Sequence, residues 1–386
     1  MNKRILISGI TIADAVKESF VGDLLLEDEK ISRVAEKIDA QADIHVDAAG
    51  KNWTAYPGFI DVHIHGAAGF DAMDATPEAL AGIASALPKE GTTSFLATTM
   101  TQSDRAISAA LQNIKGFQAQ DGQAEMLGVH LEGPFISDKR AGAQPIEHIA
   151  EPSYPLFQKW QKLSGGQIRL VTMAPEAANG LAFVKQLAED GVIASIGHSD
   201  ATLEEVQAAV RSGASHVTHL YNQMSPFHHR NPGVVGAALT EGSLSVEVIA
   251  DFIHSHPTSV ELAFRQKGAG KLILITDAMR AKGLAPGVYD LGGQDVQVTK
   301  KDARLADGTL AGSILTMETA VKNVQSITGC SLNEVVSMTS ANAAKELGLS
   351  NKGRLQDGTD ADVVILDEDF NVQLTICRGT IAYTKE

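Results

Sequence analysis

Eight short apolar runs rich in β-formers follow one another between Gly58 and Ala278: GFIDVHI, TSFLATT, MLGVHL, IRLVTMA, VIASIGH, HVTHLY, VEVIAD and LILITDA. Runs that are apolar on both faces belong to parallel strands covered on both sides, and parallel neighbours need crossovers, usually helices. Helical stretches are expected from Pro77 to Leu87, Asp104 to Phe117, Gly180 to Glu189 and Thr202 to Ser212, between most of the runs. Eight such units predict a closed (β/α)8 barrel of the TIM type, which needs about 250 residues and leaves about a third of this chain to place.

The remainder lies at the two ends. Residues 1–54 turn through RILISG, GDLLLEDEKISRV and ADIHVDAAG in the manner of antiparallel strands, and the tail 348–386 returns to strand character in ADVVILD and VQLTICRGTIAYT. Head and tail are expected to pair as one small β-sandwich, with residues 55–347 as the barrel. A hairpin is predicted from Tyr289 to Arg304, and two helices from Met317 to Thr328 and Leu332 to Leu347. The formal charge of -15 argues against polyanionic partners, nucleic acid or an anionic membrane. Two cysteines without metal-ligand spacing, no apolar run of membrane length and no leader pattern at the N-terminus point to a cytoplasmic protein.

The chemistry-bearing residues sit at the ends of the apolar runs: His63 and His65 in FIDVHIHG, Glu132 in GVHLEGPF, His198 in ASIGHSD, His219 in VTHLYN and Asp277 in LILITDAM. In such a barrel, strand C-termini converge on one mouth, so these six would become neighbours. His63 and His65, two apart on one strand, share the inward face. An HxH pair alone reads more simply as two strand histidines, but four further residues in the same context make coincidence hard to sustain. Imidazoles with bridging carboxylate suit a pair of divalent ions, Zn, Fe(II), Mn or Co. Asp277 could cap a helix; its place on the last strand favours an acid/base. Strand alternation is read as turning His130 and His216 away from the ligands, with lining the site an alternative for His216. His45, His148 and His256 read as ordinary polar residues.

The motifs PGFIDVHIHG, HLEGPF, GHSDAT, THLYNQM, NPGVVGA, ITDAM and GTLAGS, in this order along nearly the whole chain, resemble those of the N-acetylglucosamine-6-phosphate deacetylases, a branch of the amidohydrolase superfamily. The resemblance implies metal-dependent hydrolysis of an acetamide on a hexosamine 6-phosphate, a barrel flanked by a small β-sandwich, and a homodimer. It assigns Glu132, His198 and His219 to metal and Asp277 to acid/base work. It places Asn222, Gln223, Arg230, His254, Leu310, Ala311 and Gly312 against substrate. Some members lack the HxH pair and hold one metal; keeping both His63 and His65 implies a second ion here, bridged by Glu132. Where some members carry a sugar-contacting histidine, this chain has Ala143, so Gln144 or the local backbone is expected to serve.

An amide demands an activated water, a polarised carbonyl and a protonated leaving nitrogen, which divalent metal and one carboxylate can supply. For the phosphate, His228, His229 and Arg230 gather cationic groups in an otherwise acidic chain. With His254 they follow barrel strands six and seven, where phosphate sites form, and the family's phosphate site draws on the partner subunit. A cyclic-amide hydrolase of the dihydroorotase kind would be expected to carry a lysine bridge and no such cationic pair. A nucleobase deaminase would need a stacking pocket, against an aromatic content of 5%. A non-catalytic scaffold would not keep the ligand set intact.

Overall fold

The computed structural model describes residues 3–385. The chain opens with β1 (Arg4–Ile12), β2 (Phe20–Glu27) and β3 (Lys30–Ala35) as an antiparallel meander. The first half of β1 then takes β4 (Ile44–Asp47) as a parallel neighbour, and its end takes β5 (Thr54–Pro57).

All eight expected barrel strands form, beginning with β6 (Phe59–Ile64), after which a short turn pairs β7 (Gly66–Ala67) with β8 (Phe70–Asp71). The rest are β9 (Thr92–Thr99), β10 (Glu125–Glu132), β11 (Ile168–Met173), β12 (Ile193–Ile196), β13 (His216–Val217), β14 (Ser245–Ile249) and β15 (Leu272–Ile275). They pair in parallel in sequence order from β6 to β15. A parallel bridge between Ile64 and Ala278, with the Asp277 N–H donating to His63 O at 2.8 Å, closes the ring. Every residue of β9 is buried, as a strand covered on both faces must be.

The crossovers are α1 (Pro77–Ala86), α2 (Asp104–Gly116), α3 (Tyr154–Leu163), α4 (Gly180–Glu189), α5 (Leu203–Ser212), α6 (Gly233–Thr240) and α7 (Pro257–Lys267), with α8 (Met317–Thr328) after the last strand. Local sequence sets their limits. Thr202 and Glu205 form a capping box at the start of α5, and Gly213 ends that helix at φ 117°, where a side chain would be strained. On α2 the buried residues Ile107, Ala110, Leu111 and Ile114 recur at helical spacing and face the barrel.

Three details differ from expectation. The predicted hairpin after β15 is a three-stranded flap of β16 (Gly287–Leu291), β17 (Gln294–Val298) and β18 (Ala303–Arg304), because Ala303 and Arg304 turn back to pair antiparallel with Val298 and Gln297. The predicted helix over Leu332–Leu347 is α9 (Leu332–Val336), a π turn at Ser337–Ala341 and α10 (Asn342–Glu346). The wide turn lets two neighbouring polar groups grip the barrel: Ser340 Oγ donates to Pro57 and Gly58 O, and Asn342 Nδ2 to Ala269 and Leu272 O.

The tail strands β19 (Val363–Leu366), β20 (Val372–Cys377) and β21 (Thr380–Thr384) complete the head, β19 lying antiparallel to β5. The sandwich is therefore one continuous sheet whose two leaves join at β1 and β5, the third difference. Ile5, Ile7, Leu24, Leu26 and Ile31 from one leaf share a core with Val363, Ile365, Leu374 and Ile376 from the other. Among the described residues no helix is long and apolar enough to cross a membrane.

Candidate metal centre and its cleft

The six candidate ligands meet at the C-terminal mouth of the barrel. Glu132 Oε1 lies 3.2 Å from His198 Nε2, 3.2 Å from His219 Nε2 and 3.4 Å from His63 Nε2, while Oε2 lies 3.3 Å from His65 Nε2. Asp277 Oδ1 stands 3.2 Å from His65 Nε2 and 3.4 Å from His63 Nε2. Two adjoining sets result: Glu132, His198 and His219; and His63, His65 and Asp277. Ligand atoms bound at about 2.0–2.2 Å to one ion stand about 3.0–3.4 Å apart in tetrahedral or octahedral shells, so these separations fit divalent ions without rearrangement. His63 Nε2 is buried and takes no hydrogen bond, as an atom reserved for coordination would be.

The backbone reaches this arrangement at a conformational cost. His198, His219 and Asp277 have φ of 47°, 31° and 47°, in the left-handed region that side chains avoid and that functional sites tolerate. Orientation is fixed from behind as well. His198 Nδ1 donates to Arg140 O at 2.7 Å, which fixes the ring with Nε2 toward Glu132. Burial disfavours a charged ring at His65, but hydrogen bonds to Asp277 and Glu132 override it and raise the ring to about 10. At Glu132 burial opposes ionisation, and the charge of His63 with hydrogen bonds from His198 and His219 holds the carboxylate well below its ordinary value. Asp277 follows the same logic, its burial outweighed by His63 and His65. A divalent ion among the four rings would take the place of the ring protons that otherwise balance these two carboxylates.

The expectation for His130 and His216 needs correction. Both are buried within the barrel rather than turned away from it. His130 is two residues from Glu132 and so shares its face; its ring centroid is 4.4 Å from that of His63, with Nδ1 donating to Val62 O. Burial, with the nearby charge of His63, lowers His130 to about 3, keeping it neutral. His216 lies between Glu247 and Glu346, below the ligands.

A cleft of about 340 Å³ opens over the ligands. Of the residues expected against substrate, Ala143, Asn222, Gln223, His254, Leu310 and Gly312 line it. Ala311 is fully buried in the core beneath the flap. Arg230 does not reach the cleft: it is exposed on the 226–232 loop, 2.6 Å from His229 Nε2, and lines a separate hollow with Asp200 and His228. Gln144 is buried, and its Nε2 donates to Glu132 Oε2 at 2.6 Å while its Oε1 accepts from the Thr101 N–H at 2.8 Å, so it steadies the central carboxylate. Sequence reasoning missed Arg304, whose flap brings it to the cleft wall, and Glu176, which receives the Asp200 N–H and the Ser199 hydroxyl beside His198. Glu176 follows barrel strand β11, and that position was the available signal.

The amidohydrolase family pattern matches residues 54–382. The N-acetylglucosamine-6-phosphate deacetylase of Lysinibacillus sphaericus is 52% identical over 98% of this chain and 97% of its own length. The chain belongs to the amidohydrolase family, in its N-acetylglucosamine-6-phosphate deacetylase branch. The Bacillus subtilis deacetylase of the same name is 48% identical over 99% and 98% of the two chains. An aspartate-to-alanine variant of the Mycobacterium smegmatis N-acetyl-D-glucosamine-6-phosphate deacetylase, solved in complex with N-acetyl-D-glucosamine-6-phosphate, superposes with a TM-score of 0.90 at 31% identity, covering 99% of this chain and all of that one.

Proposed function

We infer that the protein hydrolyses N-acetyl-D-glucosamine 6-phosphate to D-glucosamine 6-phosphate and acetate, a step of amino-sugar metabolism. The observation that carries this reading is the convergence of four imidazole nitrogens on Glu132, with Asp277 beside them, at the floor of the cleft. In this reading Glu132, His198 and His219 hold one ion and His63, His65 and Asp277 hold another. Glu132, whose oxygens face rings of both sets, would serve both, and Zn, Fe(II), Mn and Co all suit the donors. Bound there, a divalent ion supplies Lewis acidity and a water acidic enough to lose its proton near neutral pH.

The residues of the chain do the rest. Asp277, held as an anion, takes the proton of the attacking water as its oxygen bonds to the acetyl carbon. It then returns that proton to the sugar nitrogen as the C–N bond breaks, so one carboxylate acts as base and then acid. Gln144 keeps Glu132 in place meanwhile. Asn222 and Gln223 face the sugar, and the cleft stretch Leu310–Gly312 bounds it. His254 donates Nδ1 to Asp251 at 2.7 Å, which leaves Nε2 as the nitrogen available to a phosphate oxygen.

Arg230 enters this reading from a second copy of the chain. Its exposure beside the exposed Phe227, away from its own cleft, fits a loop that inserts into a partner. The reading is thus a cytoplasmic homodimer, with residues 55–347 carrying catalysis and 1–54 with 348–386 as a supporting β unit. The test is acetate release from N-acetylglucosamine 6-phosphate and from unphosphorylated N-acetylglucosamine, before and after chelation. Turnover of the phosphorylated sugar, abolished by chelation and restored by a divalent ion, is expected; equal turnover of both sugars would sink the substrate assignment.

A further inference from the structure

Below the ligands, the barrel interior carries a connected line of charged side chains where Val, Ile and Leu ordinarily fill the space. Glu247 on β14 is fully buried. Its Oε2 accepts from His63 Nδ1 at 2.9 Å and from the His219 backbone N–H at 3.1 Å, and its Oε1 accepts from His216 Nε2 at 3.1 Å. His216 Nδ1 in turn donates to Glu346 Oε2 at 2.6 Å, on α10 outside the ring of strands. Both nitrogens of His216 face carboxylate oxygens, so both carry hydrogens. Burial opposes that charge, and Glu346 and Glu247 nonetheless raise His216 to about 10.

We propose that Glu247 is the positioning residue of the His63 ligand, and that His216 and Glu346 anchor it from behind. The proposal rests on the two-ion reading above. A neutral imidazole has one N–H. With that hydrogen committed at Nδ1 to Glu247, the Nε2 lone pair is fixed toward Glu132 and Asp277, where an ion belongs. The second hydrogen bond of Glu247 Oε2, to the His219 backbone, ties this orientation to the strained turn that presents the other ion's ligand. Glu247 thus sets the His63 side of the centre without touching the ion held there. His216 neutralises Glu247 in a place where an unpaired carboxylate could not remain, and α10 carries the Glu346 that keeps His216 charged.

The test uses full-length enzyme stripped by chelation and titrated calorimetrically with Zn(II) alone, with thermal melting of the stripped protein alongside. Glu247→Gln keeps the volume but offers one acceptor oxygen and an NH2 to three N–H groups, so at least one meets a donor. The parent is expected to take up two ions. The variant should bind one as the parent does and the other about 10- to 100-fold more weakly, and the stripped protein should melt at a lower temperature, since the buried His216 loses a compensating charge. Glu346→Gln, two links further away, should weaken the same ion by a smaller factor. Unchanged affinities in Glu247→Gln, or equal weakening at both sites, would overturn the positioning role. If Glu247→Gln does not fold, an unchanged affinity profile in Glu346→Gln overturns the anchoring line. A parent that binds a single ion refutes the two-ion reading instead. In that case unchanged binding of that ion by Glu247→Gln refutes the role of Glu247 as well, and weakened binding upholds it.

Discussion

Asp277 illustrates how much a single side chain can be asked to do when its surroundings set its charge. It belongs to a ligand set with His63 and His65, and it is also a carboxylate that lines the cleft and can move a proton. Coordination needs an oxygen lone pair, which an amide retains; proton transfer needs a carboxylate, which an amide is not. Asp277→Asn is therefore expected to keep its metal content and lose turnover. A general acid or base contributes about 10²- to 10⁴-fold, and here the same group serves in both steps. Elemental analysis with a turnover assay checks this, and an active variant with full metal would remove Asp277 from the proton path. The same distinction applies at Gln144, whose hydrogen bond to Glu132 Oε2 fixes a ligand and has no proton to give to the substrate.

At the scale of elements, the centre is assembled by strand ends, each contributing one or two ligands through its own local geometry. β6 places His63 and His65 on one face because strand side chains repeat every two residues. Replacing both with Ala should remove the ion of that strand and leave the other on Glu132, His198 and His219, three ligands that suffice for a catalytic centre. Metal content falling from two per chain to one is the expected result; loss of both, or of neither, would contradict the division. These strands were legible because residue type and periodicity are local: each apolar run contains most or all of its strand, and the boundaries of α4 and α8 agree with expectation residue for residue. The orientation of His130 was legible too, since it is two residues from Glu132, but the period was misapplied. Glu247 was not legible, because in VEVIAD it looks like one polar residue in an apolar strand, and its purpose depends on partners 184 and 31 residues away. The π turn was hidden for the same reason, its contacts to Pro57, Gly58, Ala269 and Leu272 lying in no window of sequence; the third flap strand was within reach, since Ala303 and Arg304 pair with Val298 and Gln297 a few residues away.

For the whole molecule, the barrel and the β unit must stay in fixed relation, and Lys352 is one of the groups that joins them. Its ammonium, 4% exposed, lies 2.7 Å from Glu125 Oε2 at the start of barrel strand β10, and 3.0 and 2.5 Å from Asp360 and Asp362 beside β19. Removing one member of a buried ion cluster leaves the others uncompensated and costs about 3–5 kcal/mol, so Lys352→Met should unfold at lower urea with its metal content intact. The loss has a sign in pH. Burial already raises Asp362 despite the lysine, and without Lys352 the folded-state values of Asp362 and Asp360 both move up. A carboxyl group with a raised folded pKa stabilises below its unfolded value and loses that contribution as pH rises through the folded one. The deficit of the variant should therefore be smallest near pH 4 and grow toward pH 8, and a deficit independent of pH would mean that the lysine acts by packing alone. Assembly supplies the other test at this scale. Arg230→Ala should lower the specificity constant for the 6-phosphate sugar at least tenfold, since a charge-assisted hydrogen bond is worth about 1.5–3 kcal/mol, and should leave the unphosphorylated sugar nearly untouched. If that arginine acts across a dimer, then mixing Arg230→Ala with Asp277→Asn under conditions that exchange subunits must recover activity. The hybrid has one site in which an intact Asp277 from one chain meets an intact Arg230 from the other. An arginine acting within its own chain would leave every site in the mixture defective, and no recovery would appear.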